Sequence, residues 1–365
     1  LSVFGTLWGF RQNYIGVDQA EYSWLYDENH FEEHVLFGVL RVFSFYSDAG
    51  QFGASQAMFA LFSVIIAIGP FSKRTKIIAF EDAFHGDTFA AMAASGISFF
   101  TEAFQGSLLQ VDRIPVPTKG NEEKTIQALE KLVQTNEYAA FIFEPLVQGA
   151  AGMVMYSPKI LDKLMAICKQ NNVFTIADEV MTGFGKTGKI FASDYLKQNP
   201  DMMCLSKALT GGTIPMAITT FSQDIFDGFY DDDTNKALFH GHTFTANPTG
   251  CSAALASIEL LQTEEIQTSI ARINQSHINF EKLIKNHPKV KTTRVLGVIF
   301  ALEIETNNEE SYYGSLRNKL YDFFIENGVI LRPVGNIVYI LPPYIISQNQ
   351  LEKVYQTIEK ALELV

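Results

Sequence analysis

Thr175-Ile-Ala-Asp-Glu-Val180 and, downstream, Met203-Cys-Leu-Ser-Lys-Ala-Leu-Thr-Gly-Gly212 share one pattern, a short apolar run that ends abruptly at a charge. The charge is Asp178 in the first and Lys207 in the second. An apolar run of this length reads as a strand buried on both faces, and such strands belong to parallel sheets. Open parallel sheets bind ligands outside the carboxyl ends of their strands. Both charges are therefore expected at the rim where a ligand lies.

Further runs extend the pattern in both directions. Residues 76–80, 139–143, 202–205 and 215–221 read as strands, and 173–177 is the run that leads into Asp178. Between two of them, 158–170 has helical spacing, with Ile160, Leu161, Leu164, Ile167 and Cys168 on one face. Strands alternating with helices predict a mainly parallel, doubly wound α/β sheet. A long helical region is expected from 248 to about 287. Strands at 298–303, 329–332 and 338–341 with helices at 315–326 and 348–364 then predict a small α+β domain. The division expected is an N-terminal segment (1–40) joining the small domain, a large domain (41–285) and the small domain proper (286–365).

Bulk properties set limits on partners. At 365 residues, one large and one small domain is the natural expectation. A net charge of −12 argues against a nucleic-acid surface, which needs clustered Lys and Arg. The run Asp231-Asp-Asp233 reads as a solvated loop, and three cysteines without metal-ligand spacing fit a reducing cytoplasm. The sequence opens without a cleavable signal pattern. Residues 49–72 carry no charge, but Gln51, Ser55, Gln56 and Ser63 interrupt the stretch and Gly69-Pro70 ends it. A buried core helix is expected there rather than a membrane span.

A lone buried acid with a lone buried lysine is what pyridoxal phosphate chemistry needs. The lysine forms a Schiff base with the cofactor aldehyde, and the acid keeps the pyridine nitrogen protonated. Taken alone, the two residues read equally as a structural ion pair or as unrelated strand-end charges. The surrounding segments narrow that choice. Phe143-Glu-Pro-Leu-Val-Gln-Gly-Ala-Ala-Gly-Met153, Ala177-Asp-Glu-Val-Met-Thr-Gly-Phe-Gly-Lys-Thr-Gly188, the Lys207 segment and His240-Gly-His-Thr-Phe-Thr-Ala-Asn-Pro248 follow one another in that order. Together they resemble the class III aminotransferases of pyridoxal phosphate fold type I, from about Lys76 to the C-terminus. Three segments resemble the biotin-pathway branch of that family: Leu205 to Gly212, the His-Gly-His-Thr-Phe run, and Leu331-Arg-Pro-Val-Gly335 leading to Tyr339-Ile-Leu-Pro-Pro-Tyr344. That branch implies transfer of an amino group to 8-amino-7-oxononanoate, with S-adenosylmethionine as the usual donor and lysine in some relatives. A relative acting on an ω-amino acid such as ornithine or 4-aminobutyrate is one alternative. A non-catalytic scaffold that binds pyridoxal phosphate is another.

The resemblance implies a role for each site residue. Lys207 is the Schiff-base lysine and Asp178 the partner of the pyridine nitrogen. Phe84 stacks on the cofactor ring, with His85 beside it. Gly50 and Gln51 align with the phosphate loop, where relatives usually have Gly-Ser. Thr243 supplies a hydroxyl to the phosphate, with Gly241 and His242 beside it. In the family that second loop comes from the neighbouring subunit, so a homodimer with shared active sites is implied. Arg332 clamps the substrate carboxylate, Glu144 is the acid that pairs with it when no carboxylate is bound, and Tyr339 flanks the pocket.

Other candidate residues fit less well. Lys186 and Lys189 lie in a Gly-rich loop rather than at a strand end. Gly185-Lys-Thr187 is not a phosphate-binding P-loop, because the first glycine of that motif would fall on Val180. Glu179 should point to the opposite face from Asp178. His240 and His242 lack the carboxylate cluster of a metal site, so no metal is expected. In the first 75 residues, the family's longer stretch with substrate-site tryptophans is largely missing. An incomplete or poorly defined sequence is expected in that region.

Overall fold

A computed structural model of the chain describes residues 35–36, 39–40, 74–96, 101–234, 238, 243–306 and 315–364. The expected N-terminal segment apart from a short strand pair, the uncharged stretch 49–72, and Gly50, Gln51, His240, Gly241 and His242 lie outside them. The short pair is antiparallel, β1 (Val35–Leu36) with β2 (Val39–Leu40).

The central sheet has six strands: β3 (Lys76–Phe80), β4 (Val111–Ile114), β5 (Tyr138–Phe143), β8 (Phe174–Asp178), β9 (Met202–Leu205) and β10 (Ile218–Phe221). A separate two-strand hairpin, β6 (Val147–Gln148) with β7 (Val154–Met155), follows β5. The order across the sheet is β10-β9-β8-β5-β3-β4, parallel throughout except that β10 runs antiparallel to β9. Burial on both faces follows from alternation along each strand. Ile78 and Phe80 join one apolar cluster with Phe141, Phe143 and Leu164, whereas Ile77 and Ala79 join another with Ala140, Ile142, Ala91 and Ala94.

Helices cover the sheet: α1 (Phe89–Ala94), α2 (Glu122–Val133), α3 (Pro158–Gln170) and α4 (Gln223–Phe229). α3 starts where the sequence says it should. Pro158 occupies its first turn, and the Ser157 side chain accepts from Lys159 N. The helical region after 248 divides into α5 (Pro248–Leu261) and α6 (Glu264–Ile284). The break falls where Thr263 caps the second helix, its side chain accepting from Ile266 N.

The C-terminal part has an antiparallel sheet of β11 (Val290–Leu296), β12 (Ile299–Ile304) and β13 (Ile337–Ile340), with α7 (Ser315–Glu326) and α8 (Gln348–Leu362). β12 faces two cores at once. Ile299 and Ala301 pack with the central sheet, while Phe300 and Leu302 pack with α6 and α8. Segment 329–332, expected as a strand, has no ladder. Pro333 offers no N–H, and pairing starts only at the Val334–Ile337 bridge around Gly335, whose φ is +57°. The strand expected at 215–221 likewise pairs only from Ile218.

Candidate active site

The sheet order places a ligand crevice before any side chain is considered. From β3 the chain crosses to β4 on one side, then returns to β5 on the other. Ligands bind at such a switch point, beyond the carboxyl ends of the strands. The loops that rise there carry the sequence candidates. Phe84 and His85 follow β3, Glu144 follows β5, Asp178 ends β8, and Lys207 comes two residues after β9.

Asp178 is buried, and its Oδ2 lies 2.7 Å from His85 Nδ1. Its Oδ1 accepts from Val180 N at 3.1 Å. His85 is fixed in turn by its backbone, whose N–H donates to Ser95 Oγ at 2.9 Å while Ser95 Oγ–H donates to Ala91 O. His85 Nε2 is buried without a hydrogen-bond partner among the described residues. Such orphans are uncommon in folded proteins and call for an explanation.

Glu179 turns the other way, as strand alternation requires. It accepts from Thr182 Oγ1, Ala192 N, Ser193 N and Ser193 Oγ, between 2.6 and 3.0 Å. These bonds make it the internal anchor of the loop after β8. The two adjacent acids are therefore separated by partner set, with Asp178 left to face the crevice.

Lys207 begins a tight turn, Lys207–Thr210, in the left-handed region with φ +46°. A non-glycine residue held there costs on the order of 1 kcal/mol, and such residues collect at functional sites. The surroundings impose the conformation. Ser206 Oγ–H donates to Met216 O, Ser257 Oγ–H on α5 donates to Ala208 O, and Thr210 Oγ1–H donates to Ile214 O. Gly211 closes the turn at φ +61°. The Lys207 side chain is exposed among the described residues, not buried as the apolar run before it suggested. The competing lysines are engaged elsewhere. Lys186 lies 4.4 Å from the Tyr344 ring, and burial lowers its ammonium pKa to about 8. Lys189 sits over Tyr195 and donates to Asp194 O.

Glu144 is buried, and burial pushes its carboxyl up to about 7. Nearby His85 lowers it and Asp178 raises it further. Its Oε1 accepts from Phe84 N at 3.1 Å, and its Oε2 accepts from Gly149 N at 2.9 Å. The structure does not join it to Arg332, which is exposed and forms no ion pair among the described residues. Among the described residues Glu144 meets backbone N–H groups rather than a guanidinium. Tyr339 lies half-buried on β13, opposite Ala301. Thr243 is exposed at the start of the turn before α5.

Sequence reasoning missed three supporting residues: Ser95, Gln148 and Tyr156. Gln148 Nε2–H donates to Glu81 O at 3.0 Å, tying the β5 loop to the β3 loop. The Tyr156 hydroxyl donates to Glu144 O. None of them has a local signal, because each acts on a partner at least four residues away and mostly through backbone atoms. Among the described residues, no three His, Cys, Asp or Glu side chains are grouped to hold a metal ion.

The arrangement fits pyridoxal phosphate. A buried carboxylate at a strand end can meet a cationic ring nitrogen, a lysine is presented just past the neighbouring strand end, and a Cβ at Gly212 would meet nothing within 4 Å among the described residues. His85 Nε2 is a buried polar atom that a bound group could satisfy.

Comparison with known proteins agrees with this geometry. The sequence model described as "Aminotransferase class-III" matches residues 39–362. The chain is 38% identical over 298 residues to the adenosylmethionine-8-amino-7-oxononanoate aminotransferase of Synechococcus elongatus, covering 80% of this chain and 70% of that protein. It is 30% identical to the Helicobacter pylori protein of the same name, covering 85% and 72%. Among solved structures, that of the adenosylmethionine-8-amino-7-oxononanoate aminotransferase from Methanocaldococcus jannaschii superimposes with a TM-score of 0.79 at 29% identity. That match covers 86% of this chain and 74% of the other.

Proposed function

The chain belongs to the class III aminotransferases, and we propose that within them it converts 8-amino-7-oxononanoate to 7,8-diaminononanoate in biotin synthesis. The observation that carries this reading is the line of Phe84, Glu144, Asp178 and Lys207 at the ends of four neighbouring strands, in a chain whose relatives bear that enzyme's name. The donor proposed is S-adenosylmethionine, since adenosylmethionine is part of those relatives' name.

Pyridoxal phosphate, when bound, supplies an aldehyde that takes up the amino group and a ring that accepts electron density. Lys207 would hold the aldehyde carbon, and its amino group would carry a proton to and from the reacting carbon. Asp178 holds the proton on the ring nitrogen by a charge-assisted hydrogen bond, and His85 orients the carboxylate. Phe84 offers its ring face to the cofactor. Arg332 pairs with the substrate carboxylate, and Tyr339 lines the same end of the pocket. Gly50, Gln51, Thr243 and the adjacent Gly241 and His242 are the proposed phosphate contacts, with the second group donated by a partner subunit in a homodimer. The proposed place of action is the cytoplasm, which suits three free cysteines.

A donor screen tests the reading. The cofactor-loaded protein is mixed with S-adenosylmethionine, lysine, ornithine or 4-aminobutyrate, and loss of the visible cofactor band is followed. Reaction with S-adenosylmethionine or lysine supports it. Reaction with ornithine or 4-aminobutyrate alone overturns it in favour of an ω-amino acid transaminase.

A further inference from the structure

Glu144 has a use that neither substrate binding nor proton transfer covers. It sits immediately after β5, on the edge of the switch-point crevice, and is buried. Its two oxygens face two different loops. Oε1 takes the N–H of Phe84 from the loop after β3, and Oε2 takes the N–H of Gly149 from the loop after β5. Its own carbonyl is held by the Tyr156 hydroxyl. Gln148 repeats the link by donating to Glu81 O. The β5 loop also contains two residues in the left-handed region, Leu146 (φ +66°) and Met153 (φ +56°), so external bonds must hold its path.

Burying an acid is costly unless hydrogen bonds satisfy it, and here two backbone donors do so. An acid is also the side chain that accepts at both ends. A glutamine of the same shape accepts at one atom only and presents hydrogens from the other. Because Phe84 N is one of the two clamped donors, the clamp fixes the backbone from which the Phe84 ring projects.

We propose that Glu144 is a positioning residue that ties the β3 and β5 loops together across the crevice and so sets the Phe84 ring against the cofactor. The proposal rests on the functional reading above, in which Phe84 is the face on which the cofactor stacks.

A double-mutant cycle on cofactor affinity tests it, with pyridoxal phosphate titrated into wild type, Glu144→Gln, Phe84→Ala and the double variant. Glu144→Gln alone should weaken binding roughly tenfold, the scale of one lost charge-assisted bond. In the Phe84→Ala background the same change should cost less than about twofold, because coupled residues are not additive. The visible circular dichroism of the bound cofactor should change in Glu144→Gln while the thermal midpoint holds, which separates repositioning of the ring from general loosening of the fold. An equal loss in both backgrounds, or an unchanged dichroism band, overturns the proposal.

If Glu144→Gln does not fold, hydrogen exchange in the wild-type protein decides. Loading the cofactor should slow the Phe84 and Gly149 amides together, and slowing of Phe84 alone overturns the clamp. Failure of the wild type to bind pyridoxal phosphate would sink the functional reading as well. Binding with an additive cycle sinks only this inference.

Discussion

His85 Nδ1 lies 2.7 Å from Asp178 Oδ2, with both side chains buried, so the strand-end carboxylate of β8 is oriented from the loop after β3. Two loops that are 93 residues apart in sequence therefore meet on one acid. The opposite imidazole nitrogen, Nε2, remains buried without a partner among the described residues. In the proposed reading, this pair presents a fixed negative charge to the cofactor ring.

Replacing Asp178 with Asn should keep the shape and remove the charge. The amide can still meet His85, so cofactor occupancy should change modestly. The chemical step should slow by orders of magnitude, since nothing then favours the protonated ring nitrogen. Single-turnover kinetics alongside a cofactor titration separate the two effects, and a near-normal chemical step would refute the assignment.

Lys207→Ala should abolish amino transfer with little change in stability. The side chain is exposed, so its removal opens no cavity, and exposed substitutions usually fall within about 0.5 kcal/mol. The visible band of the lysine-bound cofactor should vanish while the thermal midpoint holds. Retained turnover in this variant would move the covalent role to another residue.

Arg332→Ala should act on one half-reaction. Arg332 is exposed and forms no ion pair among the described residues, leaving its guanidinium available to a substrate carboxylate. Loss of a charge-assisted pair costs roughly 1.5–3 kcal/mol, about 10- to 100-fold in kcat/KM for the keto substrate. A donor that does not use this anchor should react almost as before. Equal losses in both half-reactions, measured separately, would show that Arg332 supports the structure or the cofactor instead.

Most of the sheet was legible because its inner strands are apolar on both faces. Runs such as Ile77-Ile-Ala-Phe80 and Ala139-Ala-Phe-Ile-Phe143 resemble little else. The edge strand Val111–Ile114 was not, since Asp112 and Arg113 break its apolar run. Val290–Leu296 was missed for a similar reason, because Lys291, Thr292, Thr293 and Arg294 occupy its middle. The proposed site was read from Asp178 at the end of β8 and Lys207 two residues after β9, each a charge that follows an apolar run. The bonds of Glu144 were not legible, because a carboxylate bound to backbone N–H groups leaves no trace in side-chain identity. Its neighbour in space, Phe84 N, lies 60 residues earlier in the chain.

His277 offers a stability test outside the site. It is buried on α6, where Nδ1 accepts from the Tyr355 hydroxyl at 2.8 Å and Nε2–H donates to Val298 O at 3.1 Å. Burial lowers its pKa to about 4, opposed by the Val298 bond. The folded value lies below the ordinary 6.5, so the stabilisation is complete above about pH 6.5 and is lost as pH falls through about 4. The loss should reach about 3 kcal/mol, following the pKa difference. Glu144, raised by burial, titrates with the opposite sign between its ordinary range and about 7. The informative quantity is thus the difference between wild type and His277→Gln, which retains one donor and one acceptor without titrating. That difference should depend on pH in this window, and a flat difference would contradict the assignment.

The measurement that decides the functional account is product formation. Wild-type protein loaded with pyridoxal phosphate is incubated with 8-amino-7-oxononanoate and either S-adenosylmethionine or lysine, and 7,8-diaminononanoate is quantified by mass. The diamine should accumulate with one of the two donors in wild type and be absent from Lys207→Ala. No diamine with either donor, in a protein that still moves the amino group of ornithine or 4-aminobutyrate, would contradict it.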